Sequence, residues 1–141
     1  MNSRMAKYIA LGPLILATLA ACSRLTAPLS DPLDGTSWTL ETYGAAKPIP
    51  GTTITLAFEN GTAHGSSGCN SYSGNYTLRG SRIEIGSLVS TLMACLGPEG
   101  VMDQEQAFLG FLGDARSYEI VDGRLQILRS DGEALRFLAQ D

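Results

Sequence analysis

Apolar and polar residues alternate with a period of two along most of the chain beyond residue 35. Thr36–Tyr43 (TSWTLETY) and Thr53–Glu59 (TITLAFE) are rich in β-branched and aromatic residues and place apolar side chains on alternate positions, so both predict strands. Lys47–Gly51 (KPIPG) between them is loop material. Asn60-Gly61 predicts a tight hairpin turn into Thr62–Ser67 (TAHGSS). Asn75–Arg79 (NYTLR) and Arg82–Gly86 (RIEIG) flank a turn at Gly80-Ser81. The last three alternating runs, Arg116–Val121, Arg124–Ser130 and Glu133–Ala139, are separated by Asp122-Gly123 and Asp131-Gly132. Asp-Gly accommodates the positive φ angles of a hairpin turn, so the chain is expected to close in a meander.

One segment changes period. In Pro98–Ala115 (PEGVMDQEQAFLGFLGDA), residues Val101, Gln104, Glu105, Phe108, Phe111, Leu112 and Ala115 recur at three- and four-residue spacing, which predicts a single amphipathic helix docked on the sheet. Pro98 suits a first helical position, and Glu99, Asp103 and Glu105 read as carboxylates drawn to the positive end of the helix dipole and left in solvent. Gly110 and Gly113 weaken the helix, so its stability should depend on docking. The resulting expectation is an α+β, mainly β domain: an antiparallel, barrel-like sheet of about seven to eight strands with one helix.

The first residues obey a different logic. Arg4 and Lys7 precede an uncharged apolar run, Tyr8–Ala20, which at about 13 residues is too short to span a bilayer and matches a secretory signal. Leu19-Ala20-Ala21-Cys22 resembles the bacterial lipobox, in which the cysteine is acylated and becomes the mature N-terminus. Residues 1–21 are therefore expected to be a lipoprotein signal peptide, 22–34 the lipidated N-terminus and a proline-containing tether, and 35–141 the folded domain. Ser23 after the cysteine implies, by the sorting rule of proteobacterial lipoproteins, the outer membrane facing the periplasm. Each buried acyl methylene contributes about 0.8 kcal/mol, enough for several chains to anchor the protein durably.

Removal of the signal leaves 8 basic residues against 14 acidic ones, a net charge of about −6, which offers no electrostatic case for nucleic acid. With Cys22 acylated, Cys69 and Cys95 are the remaining thiols. In an oxidising compartment they form the one available pair, worth roughly 3 to 4 kcal/mol for a loop of about 27 residues. The alternative is two reduced, buried cysteines acting as small hydrophobes.

Little in the sequence points to catalysis. His64 is the sole histidine, and a disulfide at Cys69 would remove its thiolate partner. Gly65–Gly68 (GSSG) lacks the spacing of a nucleophile elbow, and GSSGCNSYSG runs on into a strand where a phosphate loop would open a helix. A lone histidine and scattered acids build neither a zinc nor a calcium site, so no metal or cofactor is expected.

Gly68-Cys69-Asn70-x-Tyr72-x-Gly74-x-Tyr76, Thr91-x-Met93-Ala94-Cys95, Glu105-x-x-Phe108 and the closing Leu125-x-Ile127 strand with Gly132, together with GTSWTL at Gly35–Leu40, resemble the META domain, the family of the HslJ-like heat-shock proteins. The resemblance runs from about Gly35 to Ala139. For bacterial members it implies a link to heat shock and novobiocin tolerance, with no established catalytic residues. The lipobox, the tether and the lack of a catalytic constellation point to a non-enzymatic, envelope-anchored binding or maintenance protein; the alternatives are a pilotin-like protein that holds an apolar ligand or lipid, a periplasmic inhibitor of a wall-degrading enzyme and, against the motif reading, a hydrolase. The resemblance also implies that Cys69 and Cys95 staple the helix to the sheet. The glycine-rich stretch itself reads as a structural element, a sharp turn between strands; the alternative is a binding surface, with Asn70, Tyr72 and Tyr76 as its candidate residues.

Protein isolated from membranes should have a mass lacking residues 1–21 and gaining acyl chains at Cys22, with Cys69 and Cys95 alkylated only after reduction. An unmodified chain with two freely alkylated thiols contradicts both assignments.

Overall fold

The computed structural model describes residues 30–140; residues 1–21, expected to be a signal peptide, and Cys22 lie outside the described residues. Nine strands and one helix follow in chain order: β1 (Thr36–Tyr43), β2 (Thr55–Glu59), β3 (Thr62–Ser66), β4 (Ser71–Arg79), β5 (Arg82–Ile85), β6 (Val89–Ser90), α1 (Val101–Gly113), β7 (Ser117–Val121), β8 (Arg124–Leu128) and β9 (Ala134–Ala139). All strand pairs are antiparallel. The order β3-β2-β1-β9-β8-β7-β5-β4, with β4 pairing back onto β3, closes eight strands into a ring, and the two-residue β6 adds onto β4. The sheet is thus α+β and mainly β as expected, with the extra short strand beyond the expected count. Closure removes the open edges that would otherwise invite pairing with other chains.

The ring closes least firmly between β5 and β7, where Arg82 and Ser117 are the one registered pair. The hairpins sit where the dipeptides place them. Asn60-Gly61 and Asp122-Gly123 both have two successive positive φ angles (50° and 78°; 51° and 72°), the backbone of a tight primed turn. Alternation fills the ring: Trp38 and Leu40, Leu56 and Phe58, Ile83 and Ile85, Leu125 and Ile127, and Leu135 and Phe137 are all buried in one cluster.

Both ends of the ring are covered. At the end bearing the β1–β2, β3–β4 and β8–β9 connections lies α1, whose buried face comprises Val101, Gln104, Glu105, Phe108, Phe111 and Leu112. With Ala115 just beyond, this is the face anticipated from spacing. Phe108 stands edge-on to Tyr72 at 5.5 Å between ring centroids, and the Arg129 guanidinium lies 5.0 Å over Phe111. The helix starts three residues later than Pro98 would place it. Gly100, with φ 81°, occupies the cap in the left-handed region, and right-handed helical backbone cannot be carried back through it.

The opposite end is covered by residues 31–34, and here packing begins before the boundary expected at Gly35. Leu33 is wholly buried in the core cluster, and Tyr76 donates its hydroxyl proton to Asp31 Oδ2 at 2.6 Å. Asp31 Oδ1 accepts the Leu33 and Asp34 amides, and Asp34 Oδ1 accepts the Asn60 amide. Pro28 and Pro32 give residues 22–34 a tether's composition, but a single leucine with a capping aspartate suffices to seat the last of them.

Leu33→Ala should lower the unfolding free energy by about 2–5 kcal/mol in urea titration, the cost of deleting a buried leucine. A loss below about 0.5 kcal/mol, typical of surface changes, would place the segment off the ring.

Candidate functional site

The glycine-rich stretch and the run before the helix converge on one buried polar cluster. β3 ends at Ser66 and β4 begins at Ser71, so Ser67–Asn70 must reverse the chain within four residues. Gly68 does so with φ 108°, a conformation closed to residues bearing a Cβ without strain. The turn presents Ser67 and Asn70 inward, beneath the second turn of α1, where Glu105 points back at them.

Glu105 is 6% exposed and faces no cationic side chain among the described residues. Its Oε2 accepts the Asn70 amide at 2.7 Å and the Ser67 hydroxyl at 2.5 Å, and its Oε1 accepts Asn70 Nδ2 at 2.8 Å. Burial alone pushes the carboxyl pKa up. The hydrogen bonds from Ser67, from the Asn70 side chain and from the Asn70 and Cys69 backbone outweigh it and hold the group below its ordinary value of 4.5. The ionised form is therefore built into the fold, neutralised by donors instead of by a counter-ion.

Asn70 carries this restraint outward to a second segment. Its Nδ2 also donates to the Met93 carbonyl at 3.1 Å, and its Oδ1 accepts the Met93 amide and the Thr91 hydroxyl, both at 2.7 Å. Two donors and two acceptors are all an asparagine side chain has, and each is used. A flipped amide would set NH2 against N–H and oxygen against carboxylate, so the network fixes the orientation. The Cys69–Cys95 disulfide closes the same junction, with Cα atoms 6.0 Å apart. It ties the β3–β4 turn to the 91–97 segment leading into the helix, where the resemblance placed it. Gln104, one position before Glu105, grips the other neighbour: its Oε1 accepts the Ile49 amide at 2.6 Å, and its Nε2 donates to Thr52 Oγ1 at 3.0 Å.

The residues proposed as a binding surface are turned inward. Asn70, Tyr72 and Tyr76 are 2%, 3% and 5% exposed: the β3–β4 turn aims Asn70 at Glu105, and β4 directs Tyr72 and Tyr76 into the ring. Tyr72 donates to the Thr55 carbonyl at 2.7 Å and Tyr76 to Asp31, and burial raises both phenol pKa values well above the ordinary range. Glu105 departs from the expectation of a solvated carboxylate. The sequence signal for its role was its place on the same face as Phe108 and Leu112, where a solvated acid does not belong.

The cluster is ill suited to chemistry. Ser67 is completely buried, and the carboxylate beside it is a weak base because its pKa is depressed. His64 is half exposed on β3, its Nε2 3.9 Å from Glu59 Oε2, and belongs to no cluster with Glu105. Among the described residues no group of three or more histidine, cysteine, aspartate or glutamate side chains is placed to hold a metal, and no helix is long and apolar enough to cross a membrane. Two open grooves flank α1. One, of about 550 Å³, is lined by Met102, Asp103, Glu105, Gln106, Leu109 and Gly110. The other, of about 570 Å³, lies between the helix and the β1–β2 and β8–β9 connections, with Tyr43, Phe111, Arg129 and Glu133 in its wall.

The model of the META domain matches residues 31–141. Among solved structures, the NMR structure of a protein from Burkholderia xenovorans shares 30% identity at a TM-score of 0.67, over 77% of this chain and 83% of that one. A DUF4847 family protein from Bacteroides vulgatus, known from a crystal structure, is 16% identical at a TM-score of 0.57 over 77% of this chain and 96% of its own. A further NMR structure is 19% identical at a TM-score of 0.60, covering 75% and 90%. The last two likenesses are of fold alone. No curated protein matches the chain.

Because the folded Glu105 carboxyl titrates below its free value, its stabilisation is complete above pH 4.5 and is lost as pH falls through the folded value. Glu105→Gln should be about 1.5–3 kcal/mol less stable at neutral pH, the range for hydrogen bonds to a charged group, and the gap to wild type should narrow below pH 4.5. A gap that stays constant with pH in denaturant titrations would mean that the charge contributes nothing.

Proposed function

The chain belongs to the META domain family, and on that footing we propose that it is a non-enzymatic binding protein, anchored to the cell envelope by a lipid on Cys22 and serving envelope maintenance under stress. The observation that carries this reading is the closure of its polar cluster. Glu105, Asn70, Ser67 and Thr91 satisfy one another, and what they hold in place is the 91–97 segment rather than a reactive group. Such a site positions a surface; it has no exposed nucleophile paired with a base.

The anchor rests on Leu19-Ala20-Ala21-Cys22, and Ser23 favours the outer membrane with the domain in the periplasm. A protein partner, an inhibited wall-degrading enzyme among the candidates, fits better than an apolar ligand held inside the ring. Phe58, Phe108, Phe137, Leu125, Ile127 and Leu135 fill the interior at 0–1% exposure, and an internal ligand would have to displace them.

In a strain deleted for the gene, wild type should restore tolerance to heat and novobiocin, whereas Cys22→Ser, which cannot be acylated, should not. Full restoration by Cys22→Ser would remove the anchor from the function, and turnover of ester, peptide or glycan substrates by the purified protein would replace the reading with an enzymatic one.

A further inference from the structure

The restrained segment ahead of α1 carries its apolar side chains outward. Leu92 is 95% and Leu96 102% exposed, and Val89, Met93 and Met102 are exposed beside them in the chain and at the start of the helix. Among the other described residues, Leu33, Leu40, Leu56, Leu112, Leu125 and Leu135 are buried in the core, and no other leucine is as exposed as Leu92 and Leu96. Here the disulfide at Cys95 and the Asn70 bonds to Thr91 and Met93 fix the backbone on either side of Leu92, so it is not a loose loop awaiting collapse. A restrained cluster of exposed large apolar side chains on a small domain marks a contact surface.

Charge narrows what covers it. From Ile83 to Ala115 the sequence has no lysine, arginine or histidine, and the acids closest to the apolar cluster are Glu99 and Asp103. The β3–β4 turn, packed against the segment, has no charged residue, and the β1–β2 connection beneath the helix contributes Lys47 alone. An anionic lipid surface is therefore repelled, and a second copy paired about a two-fold axis would bring Glu99 and Asp103 against their own equivalents. The chain enters the ring at Asp31–Asp34, at the end remote from α1, so a tether rising from a membrane presents this surface away from it. We infer that Leu92, Met93, Leu96 and Met102, edged by Glu99 and Asp103, dock into an apolar recess of a protein partner bordered by lysine and arginine side chains. The inference rests on the binding role proposed above and names the partner's chemistry.

The test places a photo-crosslinking residue at Leu96 in the full-length, membrane-bound protein, with Ile120 on β7 as control. The expected result is an adduct with an envelope protein at position 96 and none at 120. That protein, once purified, should bind full-length chain in detergent. The affinity should fall at least about tenfold with Leu92→Asp/Leu96→Asp, and by a similar factor with Glu99→Lys/Asp103→Lys or on raising salt from roughly 0.05 to 0.5 M. Both replaced leucines lie in solvent, so unchanged melting of the variants separates lost docking from lost folding, and the lysine pair tests charge without touching the leucines. Adducts with lipid or with a second copy, no adduct, or affinity indifferent to both variant pairs overturns the inference. A Cys22 found without acyl chains would undo the anchor while leaving the crosslink at position 96 as an independent reading of the surface.

Discussion

Everything at the helix end of this domain depends on one buried carboxylate. Glu105 has no cation to pair with among the described residues, and a bare carboxylate in that position would be too costly to keep ionised. The β3–β4 turn solves this by aiming a hydroxyl, a side-chain amide and backbone N–H groups at it. The turn needs Gly68 to adopt that shape, and the helix needs the turn to keep Glu105 satisfied. Sheet and helix, which share little sequence proximity, become mutually dependent.

The same interaction extends to the surface. Asn70 gives one Nδ2 hydrogen bond to Glu105 and makes its other bonds to the Met93 backbone and the Thr91 hydroxyl, so the loop's position is tied to the carboxylate through a single side chain. The disulfide reinforces this geometry from one side and Gln104 reinforces the β1–β2 connection from the other. Polar groups are thus drawn into the interior while leucines are held out in solvent. That inversion is the observation on which the proposed display role rests.

Much of this was legible in the chain. Period-two alternation and the Asn-Gly and Asp-Gly pairs located the strands and turns, because side-chain parity and positive φ are local properties. The helical face was read in full, down to Gln104 and Glu105. What spacing could not say is why two polar residues belong on it: a carboxylate near a helix N-terminus already has an explanation in the dipole, and the donors that bury it lie 35 and 38 residues away. Asn70, Tyr72 and Tyr76 were legible as special but not as internal, since parity along β4 does not say which face of a ring is the inside. Leu33 was masked by its prolines, and the exposed leucines of the 91–97 segment by the disulfide motif that contains Leu92 and ends just before Leu96.

A double-mutant cycle between Asn70→Ala and Glu105→Gln, followed by denaturant unfolding at neutral pH, measures this dependence most directly. The account predicts strong coupling, more than about 1 kcal/mol, because each side chain exists to satisfy the other. Additive losses, equal to within about 0.5 kcal/mol, would show that the two act separately and that the carboxylate does not organise the helix end of the domain.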